Sequence, residues 1–494
     1  MSPEEIAHIV EHSGAGLLIG DAPLVEPALV HLSAVSTLRE VVTLPGETGD
    51  AIEMPGTTGY DALLAAGSDE PLAFTVTDEN APISLNYTSG TTGDPKGVVY
   101  THRGAYLNAL GNVIHQGFGD GSSYLWTLPM FHCNGWCTTW ALTAVAGTHV
   151  CLRAVRADDT WRLIDEAGVT HMAGAPTVLS MMSESPLAHP LRQPLTFTTR
   201  GAPPGQVFDD LNVRVVHAYG RTETYGAYTM CEEQDAWSEL PVAERSRLKA
   251  RQGVGMVTAD EARVVATSGD PDRLVDVPAD GVTMGEIVMG GNTVMREYFR
   301  DPDATAAAFR GGWFHSGDLG VRYPDGYIEL LDRAKDIIIS GGENISTIEV
   351  ESALMSHPAV ADVAVIAVPD QRWGERPKAF VRLAVGQHAD EAELIAHVKA
   401  HIAKFKAPES VDFVLEVPRT STGKLRKRAA QRRTGQIQQQ LGCNDGRPCR
   451  GRARWCRIDR WCGESGLGNR GGLGWAMRPV PSLRRRRMWA GLCW

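Results

Sequence analysis

The chain has 494 residues and a formal net charge of −11, more than one ordinary domain needs and enough to bury large cores. It carries no long uncharged apolar run that would span a membrane as a helix, and its acidic balance argues against nucleic acid, whose phosphates call for basic faces. The charge is uneven: residues 435–494 hold twelve arginines, no lysine and three acidic residues, with five of the nine cysteines and five of the twelve tryptophans.

Ser2-Pro3-Glu4-Glu5 supplies an N-cap, a proline at the first helical position and a capping-box glutamate, which predicts a helix to about Ser13 that stops at Gly14. So acidic an opening does not read as a cleavable leader, and a cytoplasmic address is the expectation. Leu17-Leu18-Ile19-Gly20-Asp21 reads as a buried strand. Strand-like runs and helical patterns then alternate to about residue 290, as in Thr148–Leu152, Trp161–Ala167, Val169–Ala173 and Val213–Ala218. That alternation predicts α/β layers with parallel pairing. Near 313–331 the texture changes to turns rich in Gly, Asp and aromatics, and Asp332-Arg333-Ala334-Lys335-Asp336 forms a charged joint before Ile337-Ile338-Ile339. A smaller α+β unit follows, with Thr347–Met355 and Glu391–Lys404 helical and Val363–Val368 a strand.

The expected division is a large domain of layered α/β subdomains over 1–331, a small mobile α+β domain over 332–434, and a tail over 435–494. The tail has no C-x-x-C pair, so zinc binding has weak support there. Its Arg, Trp, Gly and Cys enrichment without hydrophobic periodicity looks like an out-of-frame reading of GC-rich coding sequence, and little stable structure is expected.

The most informative segment is Asn86-Tyr87-Thr88-Ser89-Gly90-Thr91-Thr92-Gly93-Asp94-Pro95-Lys96-Gly97, set between the apolar runs Ala81–Tyr87 and Val98-Val99-Tyr100. Glycines let backbone N–H groups close on an anion, and hydroxyls and an ammonium add donors. It is a phosphate cradle, but its lysine stands between Pro95 and Gly97, so it is no Walker A loop. Its order of residues resembles the phosphate loop of the AMP-forming acyl/aryl-CoA synthetase, luciferase and peptide-synthetase adenylation superfamily. In that light Thr88, Ser89, Gly90, Thr91, Thr92, Gly93 and Lys96 are candidates for holding ATP.

Further segments match the superfamily in order. His217-Ala218-Tyr219-Gly220-Arg221-Thr222-Glu223 resembles its Y-G-x-T-E motif. The resemblance implies that Tyr219 and Gly220 flank the adenine, that Thr222 reaches a phosphate oxygen, and that Glu223, with Thr91, helps hold Mg²⁺. Gly201-Ala202-Pro203 looks like the backbone lining the adenine. Trp313-Phe314-His315-Ser316-Gly317-Asp318 resembles the motif whose aspartate, here Asp318, accepts both ribose hydroxyls. The resemblance makes Asp332 the hinge and Arg333 a ribose or phosphate contact. Pro418-Arg419-Thr420-Ser421-Thr422-Gly423-Lys424 resembles the C-terminal catalytic loop, with Lys424 supporting charge at the α-phosphate.

Leu128-Pro129-Met130-Phe131-His132-Cys133-Asn134-Gly135-Trp136 resembles the substrate gate of a subgroup acting on fatty, short branched or thioether acids. It implies His132 as a lid over the acid and thiol, with Trp136 beside the substrate and Cys133 as packing. Gly174, Ala175 and Pro176 resemble the acyl-pocket wall. The implied activity is ATP-dependent conversion of a fatty or shorter acid to acyl-AMP and then acyl-CoA, with ATP, Mg²⁺ and coenzyme A as cofactors and no nucleic-acid partner. Two alternatives stay open: an adenylation domain that loads a carrier protein, and a truncated, inactive nucleotide-binding homologue. Departures from the pattern are an expected further ~80–100 residues ahead of Met1, a short span from Gly201 to Gly220, and Glu297 where glycine is expected.

Overall fold

The structure is a computed structural model, and it describes residues 2–46, 54–71, 74–88, 95–200, 210–270, 272–384, 386–415 and 417. Residues Met1–Arg433 group into one compact unit, and Thr434–Trp494 into a second, which lies outside the described residues.

The helix Pro3–Ser13 forms around its capping box: Glu5 N donates to Ser2 Oγ at 3.2 Å and Ser2 N to Glu5 Oε2 at 2.6 Å. Gly14 ends it at φ 73°, a left-handed position that suits glycine. Strands β1 (Leu17–Asp21), β2 (Glu40–Leu44) and β3 (Thr58–Gly59) make a small parallel sheet. The expectation of a buried β1 is corrected here, because Leu17 and Ile19 are 41 % and 45 % exposed. β1 is the sheet edge, and alternation turns only Leu18 toward the Val10–Leu32 cluster.

Strands β4 (Pro82–Tyr87) and β5 (Gly97–Thr101) pair antiparallel on either side of the segment expected to hold phosphate. Helix His102–Gln116 leaves β5 directly, capped by Thr101 Oγ1, which accepts from Gly104 N at 3.1 Å. Next come β6 (Ser123–Leu125), β7 (Thr148–Val150), β8 (His171–Gly174), β9 (Leu195–Thr199) and β10 (Val213–Tyr219), parallel throughout in the order β7-β6-β8-β9-β10. Two short strands, β11 (Thr229–Met230) and β12 (Val254–Gly255), extend this sheet antiparallel beyond β10.

The parallel pairing agrees with the alternation in the sequence, with shifted limits. The helix around Trp161 starts earlier, at Ala157, and Val169 still closes it by donating to Ile164 O, so β8 begins only at His171. Trp161, Leu179, Phe197 and Leu195 bury one face of the sheet, and Tyr124, Trp126, Tyr219 and Leu142 sit in the core on the other side.

Beyond β10 the chain builds an antiparallel sheet from β13 (Arg263–Val265), β14 (Gly285–Met289), β16 (Phe314–Arg322) and β17 (Ile328–Arg333), while β15 (Glu297–Tyr298) returns to pair with β5. The last sheet has β18 (Ile338–Ser340), β19 (Glu343–Ile345), β20 (Val360–Asp370), β21 (Gly374–Leu383) and β22 (Ser410–Phe413). Helices Thr347–Met355 and Glu391–His401 cover it around Val350, Leu354, Leu394 and Val398. The second helix stops short of the expected Lys404 because Ile402 is extended. The fold is thus mixed α/β, with a large N-terminal part and a small α+β C-terminal part.

His217, on β10, is buried, and its Nδ1 bonds Ala250 O at 2.7 Å. Burial lowers its pKa to about 4, against a pull upward from the Ala250 and Arg251 backbone. Unfolded chain takes this proton near pH 6.5 and the folded chain only near 4, so stability present above about 6.5 is lost as pH falls through that window. The loss should reach at most roughly 3 kcal/mol. Urea unfolding at pH 7 and pH 5 should show the drop, and His217→Gln should flatten it. An unchanged slope in the variant would assign the pH dependence elsewhere.

Candidate active site

Parallel strands leave their carboxyl ends on one side of a sheet, and ligands of open α/β sheets bind there. β8 and β9 run in register with Gly174 opposite Thr199, and β9 and β10 with Thr199 opposite His217. The residues at these exits are Ala175, Arg200 and, where β10 ends, Tyr219 and Gly220. Gly220 has no room for a side chain, since a Cβ would lie 1.9 Å from Gly226 O. The chain therefore folds back tightly, and a 3-10 turn, Thr222–Thr224, sets Glu223 inward at 5 % exposure.

An ion cluster forms at this turn. Arg221 donates from Nη1 to Asp318 Oδ2 at 3.0 Å and from Nε to Glu223 Oε2 at 3.4 Å. Tyr219 OH donates to the same Asp318 oxygen at 2.8 Å, and Tyr298 OH donates to Glu223 Oε1 at 2.8 Å. Arg333 Nε lies 3.6 Å from Asp318 Oδ1. That Oδ1 is sealed from solvent and accepts no hydrogen bond from the described residues. Burial alone would lower the Arg221 guanidinium, but Glu223 and Asp318 outweigh it and hold its pKa above the usual value. Burial, then Asp318, pushes the Tyr219 hydroxyl well up, and burial with Glu223 does the same to Tyr298, so both remain protonated donors. Burial and the neighbouring Arg333 lower the Lys335 ammonium.

The neck of the segment expected to hold phosphate, Thr88 and Lys96, reaches this cluster. Thr88 N donates to Lys96 O at 2.9 Å and Lys96 N to Thr88 Oγ1 at 3.2 Å. The Lys96 ammonium sits 4.8 Å from the ring centroid of Tyr298, whose hydroxyl bonds Glu223. Ser89, Gly90, Thr91, Thr92 and Gly93 lie outside the described residues, as do Gly201, Ala202, Pro203 and Lys424. Thr222 accepts from the Cys133 thiol at 3.6 Å, and His132 Nδ1 is 3.8 Å from the same sulfur. Asp332 is 2 % exposed, with Oδ2 accepting from Thr347 N at 2.5 Å and Thr347 Oγ1 at 2.8 Å. Its carboxylate thereby caps the first residue of the helix that opens the C-terminal part.

At the neighbouring strand end, Gly174 closes β8 where a Cβ would press on Val178 and Phe197, and Pro176 starts the helix Pro176–Ser183. Trp136 is 3 % exposed. Gly226, at φ 114°, packs its backbone so near that an added Cβ would lie 2.7 Å from the Trp136 Cα.

Three supports escaped the sequence reading. Tyr298 is a hydrophobic strand residue by pattern, and only the pairing of β15 with β5 brings it to Glu223. Cys133, Asn134, Gly135, Trp136 and Cys137 form an unbroken left-handed run, with φ between 49° and 62°, a conformation costly for side chains bearing Cβ. Asn134 anchors it, its Oδ1 accepting from Ser84 Oγ at 2.9 Å and Asn86 Nδ2 at 2.8 Å. Finally, helix His102–Gln116 carries an amide ladder at four-residue spacing, the one local signal that was available. Asn108 Nδ2 holds Ala227 O at 2.8 Å, Asn112 Nδ2 holds Trp136 O at 3.1 Å, and Gln116 links Asn112 to Thr198 on β9.

Known proteins match this chain along most of its length. The AMP-binding enzyme family matches residues 1–299, and the AMP-binding enzyme C-terminal domain matches 349–424. An acetate–CoA ligase of Humulus lupulus is 44 % identical over 451 residues, covering 86 % of this chain and 78 % of its own. A peroxisomal butyrate–CoA ligase of Arabidopsis thaliana is 41 % identical over 445 residues, covering 86 % and 77 %. Among solved structures, the O-succinylbenzoate coenzyme A synthetase of Bacillus subtilis, in complex with ATP and magnesium ion, superposes with a TM-score of 0.70 at 26 % identity, covering 87 % and 82 %.

Removing Arg221 would strand two buried carboxylates. Arg221→Ala should cost about 3–5 kcal/mol in urea unfolding, because an uncompensated buried charge is worse than a broken contact. Arg221→Lys should recover part of it, since an ammonium restores charge without the planar fork. A loss under about 1 kcal/mol would mean that the cluster is solvated like a surface pair.

Proposed function

This chain belongs to the AMP-binding enzyme family, and we propose that it activates a short- or medium-chain carboxylic acid at the carboxyl ends of β8, β9 and β10. It is an acid–thiol ligase: ATP and the acid give acyl-AMP and pyrophosphate, and coenzyme A then gives acyl-CoA and AMP. The reading of the site is carried by Asp318 Oδ1, a buried carboxylate oxygen without a hydrogen-bond donor among the described residues, which suits a sugar diol. Tyr219, Arg221 and Arg333 fix that carboxylate, while Thr88 and Lys96 gather the phosphate loop at the far end of the same cluster.

Among the described residues no group of three or more His, Cys, Asp or Glu is placed to hold a metal. Magnesium fits this site nonetheless, because it usually takes one or two carboxylates together with substrate phosphates and water. Glu223 is the carboxylate in place, with Thr91 as a further proposed ligand. When bound, the ion would supply neutralising charge at the phosphates. Lys424 is assigned to the charge that grows when the acid attacks the α-phosphate, and His132 to covering the acid. Trp136, Gly174, Ala175 and Pro176 wall the acid, and Gly201, Ala202 and Pro203 line the adenine with Gly220.

Asp332 is the proposed pivot between the two half-reactions. Its bonds to Thr347 tie β17 to the C-terminal part in this arrangement, so rotation about it must exchange them for others. No helix among the described residues is long and apolar enough to cross a membrane. Cytoplasmic residence is our reading, although the butyrate–CoA ligase relative is peroxisomal; cell fractionation against a peroxisomal marker decides between them.

Carboxylate-dependent pyrophosphate release, with hydroxylamine trapping of the adenylate, tests the reaction. Acetate, butanoate and hexanoate should each be tried, and the short acids should be used. Silence across aliphatic and aryl acids, or ADP in place of AMP, sinks the reading. Turnover only with a carrier protein in place of coenzyme A would transfer it to the carrier-loading alternative.

Lys424→Ala should slow adenylation by about 10²–10³ while thioester formation from supplied acyl-AMP is nearly kept. Asp332→Pro should show the reverse by stiffening the pivot. Equal losses in both half-reactions would assign either residue to stability alone.

A further inference from the structure

Arg200 stands apart from the ion cluster. It follows the last residue of β9, between the exits of β8 and β10, and its guanidinium lies 4.7 Å from the ring centroid of Trp136. One terminal nitrogen, Nη2, donates to the Gly226 carbonyl. Its Nε is sealed from solvent and has no acceptor among the described residues, and the indole Nε1 of Trp136 is likewise sealed and unbonded there. Two buried donors in one stacked pair therefore lack partners among the described residues.

The charge around the pair is unbalanced as well. Among the described residues no carboxylate pairs with Arg200, since Asp318 and Glu223 are taken by Arg221, with Arg333 also at Asp318. The side chain as a whole is only half-buried, and desolvation of its guanidinium pulls the Arg200 pKa down, as expected of a cation that lacks a counter-charge among the described residues. Stacking on an indole returns part of that cost, but a carbonyl contact and a ring do not replace an anion. A purely hydrocarbon acyl group would leave both donors unsatisfied. An acceptor oxygen on the acid would satisfy them.

We propose that Arg200 and Trp136 form a polar subsite for the body of the acid, so that the enzyme prefers short acids bearing a second acceptor oxygen, carboxylate or carbonyl, beyond the reacting carboxyl. This rests on the acid–CoA ligase reading above. Arg200 is then a specificity-determining residue, recognising an oxygen that takes no part in bond making.

The test compares butanoate, succinate and 3-oxobutanoate by pyrophosphate release in the wild-type protein and in Arg200→Met and Arg200→Lys. Wild type should favour at least one of the two oxygen-bearing acids over butanoate by about tenfold or more in kcat/KM, the size expected for a charge-assisted hydrogen bond. Arg200→Met should shrink that ratio by about 10- to 100-fold, and Arg200→Lys should keep part of it. Succinate and 3-oxobutanoate separate a charged from a neutral acceptor. A wild-type ratio near or below one overturns the inference while leaving the ligase reading intact, whether or not the variants fold. A ratio unchanged in Arg200→Met, with all acids slowed together, also overturns it by assigning Arg200 to the reacting carboxylate or to stability. No pyrophosphate from any acid would sink the ligase reading and this one with it.

Discussion

Arg221 holds the molecule's two main sheets to one another at the place where chemistry is proposed. It belongs to the turn after β10, in the parallel sheet, and its nearest carboxylate, Asp318, belongs to β16 in the antiparallel sheet. Neither Asp318 nor Glu223 could stay buried without it, because an ionised carboxylate in a low-dielectric interior needs a paired charge and hydrogen bonds. Tyr219 and Tyr298 complete that requirement with neutral hydroxyls, and Arg333 brings a second cation near Asp318 from β17. Position and charge are thus fixed before any substrate arrives, which is the condition for electrostatic stabilisation without reorganisation.

What could be read from the sequence was what neighbours in sequence carry. The capping box at Ser2 and Glu5, the stop at Gly14, the parallel alternation through β10 and the helix Thr347–Met355 all rest on a few adjacent side chains. The motif residues Tyr219, Glu223 and Asp318 were legible for the same reason, each sitting in a compact, unusual string. Contacts between distant segments were not legible. Nothing local in Glu297-Tyr298 says that its tyrosine reaches Glu223, and nothing local in Asn134 says that Ser84 and Asn86 will hold it. Leu17 and Ile19 misled because an apolar run does not disclose whether its strand is central or at an edge.

The left-handed run at Cys133–Cys137 shows how such distant contacts are used. Four side chains with a Cβ sit where glycine is favoured, and they stay there because Asn134 is bonded to β4 while Asn112 holds the Trp136 carbonyl. The strain is stored next to Thr222 through the Cys133 thiol. A relaxed backbone would turn Trp136 away from Gly226, so this local cost maintains the wall proposed for the acid.

The amide ladder on helix His102–Gln116 has a consequence for how this protein can change. Asn108, Asn112 and Gln116 are buried together, and each grips a different layer: the turn at Ala227, the run at Trp136 and the strand at Thr198. One rigid rod therefore gauges three walls at once. A slip of that rod would move the walls in concert, whereas a single substitution in one wall moves that wall alone. If the acid binds where proposed, sequence drift on a helix that need never meet it is a route by which substrate range can migrate while the ion cluster, built on other elements, stays as it is.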